Sequence, residues 1–241
     1  ATNPGCSVGG TCQIYNPKNK VSVEAEVVGF REDRMLVMPL RNTYGIGPKC
    51  RIIPDENPSM IPVGDGLLGR VIDPLMNPLD GLGELSTSSE ISLYPEVINP
   101  LKRERINQSL DVGIRSINSC LTCGRGQRIG IMAGSGVGKS MLLGMMARYT
   151  DADINVISLV GERGKEVREF IEDNLGEKGL RRSVVVVATS DQPPLLRMRG
   201  AFVATSIAEY FRNQSKDVLL SMDSLTRFAM AQREIGLAAG E

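Results

Sequence analysis

Four nearly continuous apolar runs, at residues 129–132, 154–160, 184–188 and 218–222, constrain this chain more than anything else in it. A strand with one face in water alternates apolar and polar residues, whereas a strand buried on both faces reads as unbroken Val, Ile and Leu, as these do. Buried parallel strands need helical crossovers, and the segments between the runs have the helical period. The pattern predicts helices over 140–149, 165–175 (Val167, Phe170, Ile171) and 198–211 (Ala204, Ile207, Ala208, Phe211). A β-α-β-α-β-α-β order predicts a doubly wound α/β unit, with ligands at the carboxyl ends of its strands.

The first third reads differently. Val21, Val23, Ala25 and Val27 alternate with Ser22, Glu24 and Glu26, the period of a half-buried strand. Short apolar runs at 35–40, 51–53 and 67–72 are separated by turn signals at 44–48, 54–58 and 77–81, which predicts a small barrel or compact sheet. A polar stretch with Ser-Thr-Ser-Ser at 86–89 and prolines at 95 and 100 follows. The expected organisation is therefore a β-barrel unit over 1–85, a connector over 86–100 and the parallel-sheet unit over 101–241. That last unit opens with a helix through Ile114, Ile117 and Leu121 that Gly124 is placed to end.

Composition narrows the chemistry. The 241 residues carry 28 Lys and Arg against 28 Asp and Glu, so no basic cloak for nucleic acid is expected. The chain has no His, which excludes Ser-His-Asp and Cys-His nucleophile systems and imidazole metal sites. What remains is carboxylates, Lys, Arg, hydroxyls, thiols and backbone amides. An odd set of cysteines (Cys6, Cys12, Cys50, Cys120, Cys123), without a signal peptide or a bilayer-spanning apolar run, predicts a reduced, cytoplasmic setting. The chain starts at Ala1 and stops within a helical pattern, so a piece cut at both ends is expected.

Directly after the first apolar run come Ala133, Gly134, Ser135, Gly136, Val137, Gly138, Lys139 and Ser140, leading into a helix from Met141. Glycines let successive N–H groups face an anion, and a helix amino terminus adds about half a positive charge. Lys139 can reach terminal phosphates, and the Ser140 hydroxyl suits Mg²⁺. The strict phosphate-loop pattern has Gly where this chain has Ala133. A dinucleotide fingerprint would need G-x-G-x-x-G, which the Lys interrupts. Asp223, at the end of the fourth run, is the candidate second Mg²⁺ contact; capping the next helix is its competing role. Glu162, at the end of the second run, is the candidate base for the attacking water. Glu166, Glu169 and Glu172 are expected to ride a helix that points away.

Residues 134–140, 159–172, 189–197 and 222–236, with 25–31, 61–73 and 78–81 in the front half, resemble the flagellum-specific ATPase family of type III secretion ATPases, relatives of rotary ATP synthase catalytic subunits. The resemblance covers essentially the whole chain. It implies an amino-terminal small β-barrel followed by a P-loop (RecA-like) parallel-sheet ATPase domain, truncated. It further implies ATP and Mg²⁺ as ligands, a cradle of Gly134 to Met141, and Lys139 on the β and γ phosphates. Ser140 and Asp223 would hold the Mg²⁺, and Glu162 would be the catalytic carboxylate, with Arg163 beside it. A homo-hexameric ring is implied, working with a regulatory stalk protein, export-gate components, chaperones and export substrates at the inner face of the cell membrane. The arginine finger, the adenine-stacking aromatic residue and the carboxy-terminal helical domain would lie beyond Glu241. An arginine finger is worth about 10³ to 10⁵ in rate, so these residues alone are expected to turn over ATP very slowly.

An injectisome ATPase shares every motif quoted; residues 132–139 and 203–212 lean toward the flagellar branch. A proton-translocating synthase subunit fits residues 164–170 and 191–194 less well. A ring-shaped RNA translocase would need a basic, aromatic-bearing first domain, and 4% aromatics argues against one. A non-catalytic ring subunit is disfavoured by Glu162. Cys120 and Cys123 form a C-x-x-C with no second pair, and they close a helix, so neither zinc nor redox chemistry is expected. Met141, Met145 and Met146 are expected to pack the core. The charged run at 102–105 is expected to be solvated, or to touch a neighbouring subunit.

Overall fold

A computed structural model describes residues 5–32, 34–55, 59–134 and 136–240. The amino-terminal strands are β1 (Thr11–Asn16), β2 (Val21–Arg31), β3 (Arg34–Pro39) and β4 (Arg51–Pro54). They form an antiparallel sheet in the order β3-β2-β1-β4, which fits the small barrel. β1 lies in its interior, although Thr-Cys-Gln-Ile-Tyr-Asn carries little apolar signal. The alternation of β2 breaks at Glu26, buried like its neighbours Ala25 and Val27, because Arg199 packs against it from a later helix.

β5 (Met60–Val63), β6 (Val71–Ile72) and β7 (Ser89–Ser92) follow, with β5 and β7 paired antiparallel. β8 (Ser109–Leu110) pairs with β9 (Cys123–Gly124) across α1 (Arg115–Cys120). Gly124 therefore does not end the helix, as its sequence position suggested; α1 stops at Leu121, and Gly124 is a strand residue packed so close to Ile106 that a Cβ would lie 2.2 Å from its Cγ2.

The remaining elements alternate. They are α2 (Lys139–Tyr149), β10 (Ile154–Glu162), α3 (Gly164–Glu169), α4 (Gly176–Leu180), β11 (Ser183–Thr189), α5 (Pro194–Asn213), β12 (Val218–Asp223) and α6 (Leu225–Ala239). A π-helical stretch, Phe170–Leu175, links α3 to α4 where one continuous helix was expected. The sheet is parallel, in the order β12-β10-β11-β6. Side chains of β10 and β11 alternate between two cores. Val156, Val184 and Val186 meet Val203, Ile207 and Phe211 of α5, whereas Ile157, Leu159, Val185 and Val187 meet Ala147, Val167 and Phe170. Full burial of such a side chain stabilises by about 1.5–3 kcal/mol, which explains the unbroken apolar runs.

The first of those runs departs from expectation. Residues 127–134 form no strand, and Ile129 and Met132 are 52% and 96% exposed. Gly130 interrupts the run and Gly126 and Gly134 flank it, so few side chains remain to hold a pleated edge. Only Ile131 packs inward, against the cluster of Val112, Ile114, Cys123 and Met146.

Residues on both sides of the compositional connector share a core. Ile61, Val63, Leu67, Ile72 and Leu93 pack with the β10–β11–α5 face, and β6 adds Val71 and Ile72 beside Val185 and Val186. Met146 is buried and Met145 packs beside it, but Met141 is 59% exposed and is not a core residue, because it lies on the open face of the first turn of α2. Cys120 is exposed and Cys123 buried, and burial pushes the Cys123 thiol upward. Among the described residues no helix is long and apolar enough to cross a membrane.

Candidate nucleotide site

The parallel register brings three strand ends together at the carboxyl edge of the sheet. Leu159 of β10 lies beside Asp223 of β12, and Glu162 lies beside Thr189 of β11. A bulge between Val160 and Glu162 re-aims the end of β10 through Gly161, whose φ is 71°. Gly is required there: a Cβ would fall 2.8 Å from Cδ of Arg227. The Arg227 guanidinium instead donates to the Gly161 carbonyl at 2.6 Å and to Glu162 Oε1 at 2.7 Å.

The glycine loop enters α2 through Gly138, a left-handed amino-terminal cap with φ 96°. No capping side chain covers this end, so the first-turn N–H groups and the positive pole of the helix face outward. Gly134, Gly136, Val137, Gly138 and Ser140 are exposed, as a loop that wraps an external anion must be. Ser135 lies outside the described residues. Lys139, the first helical residue, turns its Nζ onto Asp223 Oδ1 in an ion pair.

Asp223 is 3% exposed. Its competing role as a helix cap belongs to the next residue: Ser224 caps α6, its side chain accepting from the Arg227 amide at 3.4 Å. The Asp223 carboxylate is thereby left for Lys139.

Glu162 and Asp223 are thus brought to one edge with Lys139, and Ser140 follows Lys139 in the first turn. Arg163 is exposed; it caps α3, and its amide donates to Glu166 Oε2 at 3.4 Å. The expectation that Glu166 points away is corrected, since its Oε2 turns back to that amide, on the residue next to Glu162. The short helix α3 begins so soon after the bulge that its third residue reaches back over the strand end. Burial pushes the Glu162 carboxyl up to about 7, with Glu166 and Asp223 adding and Arg227 opposing. Sequence reasoning missed both Glu166 and Arg227. The signals were a capping-box glutamate three residues past a helix start, and an arginine in the turn after Asp223.

The donors fit Mg²⁺ and a nucleoside triphosphate. Asp223 and Ser140 are hard oxygen donors, and Mg²⁺ is commonly held by one or two carboxylates together with phosphates and water. Among the described residues no group of three or more Cys, Asp or Glu is placed to hold a metal ion.

The arrangement matches known proteins. The chain is 54% identical over 240 residues to the flagellum-specific ATP synthase of Bacillus subtilis, covering 99% of this chain and 55% of that protein. It is 53% identical to the flagellum-specific ATP synthase of Pseudomonas aeruginosa, covering 98% of this chain and 52% of that protein. The solved structure of the assembled ATPase EscN with its central stalk EscO, from the type III secretion system of enteropathogenic E. coli, superposes with a TM-score of 0.89 at 46% identity, covering 99% of this chain and 58% of EscN. The chain therefore spans about half the length of the curated relatives it matches. Residues 113–241 match the ATP synthase alpha/beta family, nucleotide-binding domain, and with more than half of its length in that match this chain belongs to the ATP synthase alpha/beta family.

Proposed function

We propose that the full-length protein is a Mg²⁺-dependent ATPase that energises protein export through a flagellar type III apparatus. The observation that carries the enzymatic part is the meeting of Lys139, Asp223 and Glu162 at one sheet edge beside a glycine-capped helix terminus. The flagellum-specific relatives support the export role. Gly134 to Met141 would wrap the triphosphate, and Lys139 would exchange Asp223 for the β and γ phosphates. Ser140 and the released Asp223 would hold Mg²⁺, which supplies charge neutralisation on the phosphate oxygens. Glu162 would orient and deprotonate water, with Arg163 close by. The protein would act as a homo-hexameric ring around a stalk protein, at the cytoplasmic face of an export gate that receives chaperones and substrates; the likeness to the assembled EscN with its central stalk EscO supports self-association and a stalk partner. The likeness to EscN also favours a second reading, an injectisome ATPase. We keep the division into a barrel unit (1–85), connector (86–100) and nucleotide unit (101–241) as a functional proposal, with the shared core as its mechanical link.

The test is calorimetry and turnover on the full-length protein. Lys139→Ala is expected to abolish Mg-ATP uptake. Wild-type protein that binds no Mg-nucleotide would overturn the reading. Loss of motility without loss of injection in a deletion strain separates the flagellar reading from the injectisome one.

A further inference from the structure

We propose that Lys139 gates the metal position: its ammonium stands in for Mg²⁺ on Asp223, so the protein binds a polyphosphate before Asp223 takes a divalent cation. The inference deepens the reading of this edge as an Mg-nucleotide site and rests on it. What carries it is that both carboxylates at the strand ends already have a cation of the chain. Asp223 is paired with Lys139, and Glu162 with Arg227 at 2.7 Å. The four residues come from β12, α2, β10 and α6, so the match belongs to the assembled sheet edge and not to one loop.

A divalent cation arriving alone gains little at such an edge. The Asp223 side chain is 4% exposed, so its attraction to Lys139 is weakly screened by water and salt. Displacing the ammonium would leave it beside a dication, and like charges at that range repel. The gain would be one carboxylate and the Ser140 hydroxyl, for no larger acidic group is placed there among the described residues. Mg²⁺ dehydrates reluctantly and is usually bound by one or two carboxylates together with substrate phosphates.

A polyphosphate meets the opposite conditions. The Lys139 side chain is 29% exposed, no side chain caps the amino terminus of α2, and Gly136, Val137 and Gly138 are exposed beside it. Lys139 can turn from Asp223 to a phosphate and keep an anion throughout. Asp223 is then released toward a cation that the phosphate shares, so the buried carboxylate is not left without a counter-charge, which would be costly. Nucleotide first and metal second is the order that never strands a charge.

The experiment follows Mn²⁺, a paramagnetic probe for Mg²⁺, by electron paramagnetic resonance on the full-length protein, with calorimetry of ATP in excess EDTA alongside. Wild type should bind ATP without metal, and should bind Mn²⁺ at an Asp223-dependent position only when nucleotide is present, with Asp223→Asn as the blank. Lys139→Ala should change in two opposite directions. It should lose nucleotide, yet bind Mn²⁺ without nucleotide about tenfold more tightly than wild type, the lower end of the scale on which an adjacent charge alters a carboxylate's affinity for a proton. A lysine that only supports the fold would lose both ligands. A Lys139→Ala protein that melts cooperatively and gains no Mn²⁺ affinity overturns the proposal. So does Asp223-dependent Mn²⁺ binding by wild type without nucleotide. Wild type that binds Mg-ATP but not ATP in EDTA overturns it as well, and that result needs no variant to fold. Wild type that binds nucleotide in neither form removes the Mg-nucleotide reading itself, and this inference with it.

Discussion

Opposite edges of the same parallel sheet use similar residues for opposite purposes. At the amino edge, just before β6, Arg70 and Asp80 form a bidentate pair at 2.7 and 2.9 Å. Arg70 also donates to the carbonyls of Gly83 and Glu84, and Asp80 accepts from the amides of Val71 and Leu82. Both side chains are nearly buried, and the guanidinium holds the Asp80 carboxyl down at about 2. At the carboxyl edge, Asp223 has Lys139, and Glu162 has Arg227. The first arrangement satisfies its charges with backbone groups that cannot leave. The second satisfies them with long side chains anchored on other elements, which under the proposed function would be traded for phosphate. A closed network stabilises a fold, and an exchangeable one can do chemistry.

The comparison breaks most visibly in activity. In the full-length protein Glu162→Gln should retain Mg-ATP binding in calorimetry while turnover falls by about 10² to 10⁴, the usual worth of a general base. Its melting temperature should change little. Unchanged turnover would place Glu162 with the structural charges.

At the other edge the effect should be on stability. Asp80→Asn leaves a nearly buried guanidinium without its counter-charge and should cost about 3 kcal/mol in urea unfolding. Nucleotide binding by the folded fraction should persist. A cost near zero would mean that the carbonyls of Gly83 and Glu84 suffice for Arg70.

The same pair gives an acid signature. The folded-state value of Asp80 lies near 2 against an ordinary 3.8, so its contribution is fully present above about pH 4 and is lost as pH falls toward 2. It amounts to about 2 kcal/mol. Subtracting the pH–stability curve of Asp80→Asn from that of wild type should isolate this step, and parallel curves would refute it.

A smaller effect of the opposite sign is expected where Glu26 of β2 meets Arg199 of α5. Burial pushes Glu26 up to about 7, and its Oε2 and Nη1 of Arg199, 3.8 Å apart, each lack a hydrogen bond. A raised carboxyl favours the folded state most below its ordinary value near 4.5, and that advantage fades as pH rises through 7. Wild type should lose stability over this interval, and Glu26→Gln should show a flatter curve in thermal melts.

Much of the nucleotide unit was legible in order of residues. β10 and β11 declared themselves because burial on both faces leaves an unbroken apolar run, and α2 because a glycine loop precedes it. Asp223 was placed correctly at a strand end, but its competing role as a cap was decided only by seeing Ser224 accept from the Arg227 amide. The run at 129–132 read like its neighbours yet forms no strand. β1 and β6 carried too little local signal, since a six-residue polar strand and a two-residue strand exist only by virtue of their partners.

The sequence by itself determined the alternation of buried strand and helix, the glycine-Lys-Ser turn, and the carboxylates at strand ends, because those depend on burial and backbone freedom within a few residues. Only the tertiary structure decided which charges meet. Arg227 reaches Glu162 across 65 residues, and Lys139 reaches Asp223 across 84. Such contacts depend on strand register and on where a helix starts, which are long-range packing outcomes that no local pattern encodes.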